Sequence, residues 1–336
     1  MPLTSDLTLD PSKFEPKAIS EQTHAFNDRL IKIMEGGPRW WEVGAEKYRQ
    51  MRWNGETALP KPVVLDSGKN ITIPSRDPTR PIPCRVFLPS HASPPKGVFY
   101  HIHGGGWVLQ SEHHQDVMLK YWADHSHLAV VSVGYRLAPE HPYPQGNEDC
   151  FDVGEYLVDH AEAEYGAPLV FMGGDSAGGH LSVVTCFHLL KTRPEFAFKG
   201  LVLNFGAYDL SGFLPHAWTF DLPLVLDVQI MQRFIAAYLP GTTPEQRRDM
   251  WISPFFADLS KMKLPSALFV VGTLDCLLDD SVLMSAKWRM SGAESLLKAY
   301  PEGAPHGFTL FPPGEGGTPE TQKALDDITA FMDERM

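Results

Sequence analysis

At 336 residues the chain is long enough for one large α/β domain or two small ones. With 43% hydrophobic and 21% charged residues, it is neither disordered nor of low complexity. The formal net charge is -12 and the basic residues are scattered, so the electrostatic footprint of a nucleic-acid binder is missing and none is expected as a partner. Acidic small substrates stay open, because net charge does not describe the inside of a pocket.

The N-terminus, MPLTSDLTLDPSKF, has neither a basic start nor an apolar core, and no run approaches the roughly 18 apolar residues of a spanning helix. A cytoplasmic location without a membrane span is therefore the expectation. Residues 16–55 then carry two amphipathic patterns, AISEQTHAFNDRLIKIMEGG and RWWEVGAEKYRQM, ahead of any strand. From residue 70 on, short Val/Ile/Leu/Phe runs recur: ITIPS at 71, CRVFLP at 84, GVFYHIH at 97, LAVVSVGY at 128, LVFMGGD at 169, GLVLNFGA at 200, ALFVVGTLD at 267 and LLKAYPE at 296. From the third on they read as strands buried on both faces of a mostly parallel sheet.

Helical spacing over 111–126, 147–165, 177–192, 278–291 and 320–335 separates these runs, which is the alternation of an open α/β sheet flanked by helices. A further helical pattern, LPLVLDVQIMQRFIAAYLPG, interrupts it between the sixth and seventh runs. The expected organisation is thus an N-terminal helical cap segment (1–60), a core in two parts (61–209 and 251–336) and a cap insertion (210–250). The two cap pieces pack together over the C-terminal edge of the strands, where open α/β sheets place their sites. Trp40, Trp41, Trp53, Phe213, Trp218, Phe220 and Leu224 are candidates for lining a pocket beneath them.

The four cysteines, Cys84, Cys150, Cys186 and Cys276, lie far apart in mostly apolar surroundings and read as buried free thiols. The histidines at 101, 103, 113, 114, 125 and 127 lack the carboxylate partners and helical spacing of a zinc site, so no metal is expected.

Gly174-Asp175-Ser176-Ala177-Gly178 follows an apolar run and precedes a helical pattern, the context of a nucleophile elbow. A serine on so sharp a turn needs glycine on both sides, and the helix that starts there points its free N–H groups at a developing oxyanion. His103-Gly104-Gly105-Gly106-Trp107, directly after the run GVFYHI, has the glycines that let backbone N–H groups approach the same oxygen. A serine needs a base, and the base needs a carboxylate to orient it. Asp275 follows ALFVVGTL, and His306 follows the last run, so the order Ser176, Asp275, His306 is that of α/β-hydrolases. Asp279 and Asp280 fall inside the next helical segment, where Asp279 suits support of the histidine loop or a cap. Asp175 suits a structural hydrogen-bonding role.

HGGGW, YRLAPEHPYP at 135–144, GDSAGG at 174–179, the D-x-L-x-D pattern at 275–279 and HGF at 306–308 closely resemble the hormone-sensitive lipase-like carboxylesterases of the α/β-hydrolase fold over roughly residues 70–330. The resemblance implies an α/β-hydrolase fold with an N-terminal helical cap and Ser176 as nucleophile, His306 as base and Asp275 as orienting acid. It also implies the amides of Gly105, Gly106 and Ala177 as oxyanion donors. No cofactor is called for. The expected reaction is hydrolysis of short- to medium-chain carboxylic esters through an acyl-enzyme. The partner is a small-molecule ester, and oligomeric state is open, a homodimer included. Hydrolysis of a lactone, an arylformamide or an acylated natural product by the same triad is the alternative, since specificity lives in pocket shape. A second alternative is a non-catalytic small-ligand receptor, as are the plant gibberellin receptors that resemble this family. Those tend to lack the catalytic histidine, which is present here.

Overall fold

The computed structural model describes residues 8–91, 93–302, 305–311 and 317–336, so the first seven residues of the N-terminal segment fall outside the described ones. Eight strands form one sheet: β1 (Lys69–Ile73), β2 (Ile82–Phe87), β3 (Val98–Ile102), β4 (Ala129–Val133), β5 (Leu169–Asp175), β6 (Gly200–Asn204), β7 (Ala267–Gly272) and β8 (Ser295–Tyr300). Their order is β1-β2-β4-β3-β5-β6-β7-β8, antiparallel at the β1/β2 and β2/β4 pairings and parallel at every later one. Each apolar run of the sequence has become a strand. Every residue of the five strands from β3 to β7 is buried, because helices cover both faces, whereas edge strand β1 is mostly exposed.

The helices are α1 (Glu21–Gly36), α2 (Trp40–Val43), α3 (Ala45–Asn54), α4 (Asp116–His125), α5 (Gln145–Tyr165), α6 (Ala177–Thr192), α7 (Pro215–Thr219), α8 (Val228–Tyr238), α9 (Leu278–Met290) and α10 (Glu320–Asp333). Three helical patterns came out shorter than the sequence suggests, the first being 111–126, which is helical only over Asp116–His125. RWWEVGAEKYRQM is broken at Gly44, whose φ of 91° lies outside the helical region, so α2 ends at Val43 and α3 starts anew at Ala45. LPLVLDVQIMQRFIAAYLPG becomes helical only at Val228, because Pro223 breaks the pattern and Asp227 caps α8, accepting from the Ile230 N–H at 2.8 Å. Among the described residues no helix is long and apolar enough to cross a membrane. All four cysteines are free and buried.

Several contacts tie the N-terminal helices to the core, among them Arg49 of α3, which donates to the Val108 and Ala138 carbonyls. Phe26 and Leu30 of α1 pack with Leu224 and Phe311 in a small cluster of their own. Ser20 and Thr23 at the start of α1 both donate to Glu302, at 2.6 and 2.7 Å, on the segment that leads to His306. Farther along, Arg85 of β2 and Asp116 of α4 form a buried ion pair at 2.5 Å. Arg85 also donates to the carbonyls of Leu65 and Gly68, and Asp116 accepts from the Leu65 N–H. This pair seams residues 65–70 to the sheet. Asp116→Ala would leave a buried guanidinium uncompensated, and we expect it to lower the unfolding free energy by about 3–5 kcal/mol. Denaturant melts of the two proteins check this; a change below 1 kcal/mol would mean the pair behaves as a surface one.

Candidate active site

The elbow forms where β5 ends and α6 begins. Ser176 has φ 56° and ψ -116°, a conformation an L-residue adopts only under constraint. The constraint is visible: its N–H donates to the Asn204 carbonyl at 2.8 Å, and its carbonyl already accepts from His180 in the first turn of α6. The chain doubles back so tightly that a Cβ on Gly178 would stand 1.9 Å from the Ile102 carbonyl oxygen. Only glycine permits that approach.

The turn presents the Ser176 Oγ to His306, whose Nε2 lies 2.9 Å away. The opposite ring nitrogen, Nδ1, lies 2.8 and 3.0 Å from the two carboxylate oxygens of Asp275. Asp275 is fully buried and also accepts from the Leu277 N–H at 2.8 Å. The imidazole is further held by the edge of Phe205, with ring centroids 5.0 Å apart. With Nδ1–H donating to the carboxylate, Nε2 is left as an acceptor for the serine proton, which is the arrangement a general base requires.

The other acids have different partners. Asp279 accepts from the His216 N–H at 3.0 Å, in the first turn of α7. Asp280 accepts from the N–H groups of Tyr208 and Asp209 on one oxygen. Asp175 takes the structural role expected for it, accepting from His101, Gln115 and Asn204.

The HGGGW segment borders the same space. Gly105 and Gly106 adopt φ values of 94° and 60°, and a Cβ on Gly106 would meet the Phe234 ring at 2.4 Å. Trp107 follows at φ 61°, held by its ring, which stacks on Tyr238 at 4.6 Å and donates Nε1–H to His180. The YRLAPE motif explains itself at this point. Tyr135 stacks on His103 at 4.2 Å and donates its hydroxyl to the His103 carbonyl, while Ala138 N–H donates to the Trp107 carbonyl. Arg136, next to Tyr135, is fixed by the buried Asp149 of α5. The N–H groups of Gly105, Gly106 and Ala177 donate to no acceptor among the described residues, and Ala177 opens α6, where helices leave their N–H groups unpaired.

Gly105, Gly106, Ser176 and His306 border a cavity of about 360 Å³. Of the aromatic residues expected to line it, Trp40 and Trp41 do. Trp53 does not: it faces His113 and His114 at the surface, 39% exposed, because it sits one residue off the face of α3 on which Tyr48 and Arg52 line the cavity. Phe213, Trp218, Phe220 and Leu224 lie elsewhere, and Val225, Leu226, Ile230 and Phe234 supply that wall. Trp40 and Phe234 stack with centroids 5.5 Å apart, joining α2 to α8 above the serine. Phe205, Arg52 and Phe234 carried no motif; the apolar i, i+4 pair Ile230/Phe234 was the one periodic signal that pointed at the cavity.

His180, behind the glycine loop, is fully buried. Its Nδ1 accepts from Trp107 and its Nε2–H donates to the Ile252 carbonyl at 2.8 Å, so an added proton would face an N–H donor. Burial, partly offset by that carbonyl, depresses its pKa to about 4. The neutral ring contributes stability in full above the ordinary histidine value of 6.5, and that contribution drains as pH falls toward 4, by on the order of 3 kcal/mol. Asp280, pushed up to about 7 by burial, works in the opposite sense, gaining stability for the fold as pH falls. A melting curve would mix the two, so the check is an NMR titration of the His180 ring. The expected midpoint is about 4, and a midpoint near the free value of about 6.5 would refute the buried neutral assignment.

Comparison with known proteins bears on the fold and the family. The family model described as the alpha/beta hydrolase fold matches residues 99–310. The carboxylic ester hydrolase LipN of Mycobacterium tuberculosis is 31% identical over 285 residues, 82% of this chain and 73% of that protein. Carboxylesterase NlhH of the same organism is 32% identical over 237 residues, 68% and 72% of the two chains. Among solved structures, a hyperthermophilic esterase from the archaeon Pyrobaculum calidifontis superposes with a TM-score of 0.80 at 28% identity, covering 94% of this chain and 98% of that one. An ester hydrolase from the metagenome of Lake Arreo, complexed with a derivative of bipyridine phosphonate, gives a TM-score of 0.80 at 26% identity, with coverages of 94% and 98%.

Proposed function

The chain belongs to the hormone-sensitive lipase-like carboxylesterases of the α/β-hydrolase family and is a carboxylic ester hydrolase; from that premise we propose that it is a serine esterase in which Ser176, His306 and Asp275 act as nucleophile, base and orienting acid. The observation that carries the reading is the unbroken hydrogen-bonded chain from the Ser176 Oγ through His306 to the buried Asp275, at the edge of a cavity. Ser176 attacks the ester carbonyl while His306 takes its proton. The oxyanion is held by the N–H groups of Gly105, Gly106 and Ala177. His306 returns the proton to the leaving alcohol, then activates the water that hydrolyses the acyl-enzyme.

Residues 1–60 and 210–250 act together as the cap of this site. The Trp40–Phe234 stack and the lining residues that both segments contribute support this division. A cavity of about 360 Å³ is at the small end of ligand pockets, roughly 300–1,000 Å³. That size, with walls that include Trp40, Phe205, Ile230 and Phe234, favours short- to medium-chain esters. Initial rates on p-nitrophenyl esters from acetyl to dodecanoyl test the reading. The expected profile peaks at short or medium chains. A profile that rises to dodecanoyl, or jumps when the substrate forms an interface, would reassign the enzyme to long-chain lipids.

A further inference from the structure

Arg52 is the feature of the cavity that simple ester hydrolysis leaves unused. Its side chain is 5% exposed, and among the described residues it has no carboxylate partner. Nη1 donates to the carbonyls of Leu59 and Pro60, at 3.1 and 2.6 Å, while Nε is buried with no acceptor. Burial alone pulls the guanidinium down to about 10, softened by Tyr48 one turn earlier on α3. The carboxylate nearest in sequence, Glu56, also lines the cavity but accepts from Asn54 at 3.0 Å. A buried, unpaired charge is among the most costly features a fold can keep, which suggests that something pairs with it in use.

Two further groups without a partner among the described residues lie beside it. Gln110, 5% exposed, lines the main cavity with Arg52, and its Oε1 is buried without a donor; since the amide can turn over, it can offer either N–H or C=O. Both residues also line a second cavity of about 130 Å³, together with His114. His114 Nδ1 accepts from the Ser111 N–H at 3.1 Å, so Nε2 carries the ring proton, and that N–H is buried without an acceptor. Burial and the adjacent Arg52 charge hold His114 neutral, down to about 3. One cation and two neutral donors therefore meet where the two cavities adjoin, a set that balances a single negative charge and suits the planar, two-oxygen acceptor of a carboxylate.

We propose that the Ser176 cavity takes esters that themselves carry a carboxylate, with Arg52, Gln110 and His114 as the subsite that binds it. This rests on the serine-esterase reading. The carboxylate is a spectator: the bond broken is the ester C–O, water supplies the oxygen and proton, and the products are an acid and an alcohol. The ligand class is a half-ester of a dicarboxylic acid, with the charge on the acyl side, or an acetylated ω-hydroxy acid, with the charge on the alcohol side.

The test compares kcat/KM for monomethyl and dimethyl esters of dicarboxylic acids from succinate to suberate, and for acetylated ω-hydroxy acids against their methyl esters. In wild type we expect the charged member to win by about tenfold or more in at least one series, mostly through KM. The charged-to-neutral ratio, measured within each protein, cancels any general loss of activity. Arg52→Met should bring it to about one, and Arg52→Lys should restore part of it. A wild-type ratio at or below one in both series overturns the proposal, as does a ratio that Arg52→Met leaves unchanged. If wild type hydrolyses no ester of either kind, the serine-esterase reading has failed instead. Calorimetry with free adipate then decides the subsite without turnover: binding that Arg52→Met abolishes supports it, and no binding leaves only buried water as the occupant.

Discussion

Ser176→Ala is expected to lower kcat on the best p-nitrophenyl ester by about 10⁴–10⁶-fold while leaving the thermal stability within about 1 kcal/mol of wild type. The asymmetry follows from the geometry. The serine contributes one hydroxyl, hydrogen-bonded to His306 Nε2. The strained backbone at φ 56° is set by the Asn204 contact and by the glycine packing against Ile102, neither of which involves Oγ. Alanine therefore inherits the turn and loses the hydroxyl proposed as the nucleophile. The activity that survives measures what the glycine loop and the cavity do alone, by binding and polarising the ester. Intact mass after exposure to an organophosphonate gives a second readout: one adduct on wild type and none on the variant. Retained turnover with an unmodified protein would move the nucleophile away from residue 176.

Asp275→Asn should be nearly as damaging, about 10⁴-fold in kcat, although it changes one atom. Both carboxylate oxygens of Asp275 face His306 Nδ1. An asparagine can still accept from Leu277 N–H, so the local turn survives. Its N–H₂ group offers a donor where the imidazole needs an acceptor, and the ring either turns or takes the tautomer with its proton on Nε2, facing the serine hydroxyl. The base is then already protonated toward its substrate proton. Equal losses in kcat and kcat/KM would show an effect confined to the transition state. A loss seen only in KM would mean that Asp275 shapes the pocket and does not orient the base.

How far these sites were legible in the sequence depends on whether local rules decide them. The elbow, the glycine loop and Asp275 could be read because each follows a buried strand, and a strand that is apolar throughout announces itself; His306 follows β8, which is only partly buried, and was legible from its place after the last apolar run. Asp279 and Asp280 were rivals of Asp275 on spacing. Packing gives each a separate task, at the His216 N–H and at the Tyr208 and Asp209 N–H groups. The helix boundaries near Gly44 and Asp227 were misread because one glycine and one proline interrupt patterns that are otherwise periodic on both sides.

By itself the sequence determined the sheet, the helices that cover it and the residues at the turn of the nucleophile elbow, since hydrophobic periodicity and glycine sterics act over a few residues at a time. Only the tertiary structure decided the walls of the cavity. Trp40 meets Phe234 across almost two hundred positions of chain, and the break at Gly44 sets which face of α3 looks inward, so that Tyr48 and Arg52 border the cavity while Trp53 faces the surface. Side chains that converge from separate helices leave no spacing to read. The buried charge of Arg52 is the clearest case: as a letter it resembles any surface arginine of an amphipathic helix, and it becomes distinctive only when packing removes its water and no described residue supplies a carboxylate in return.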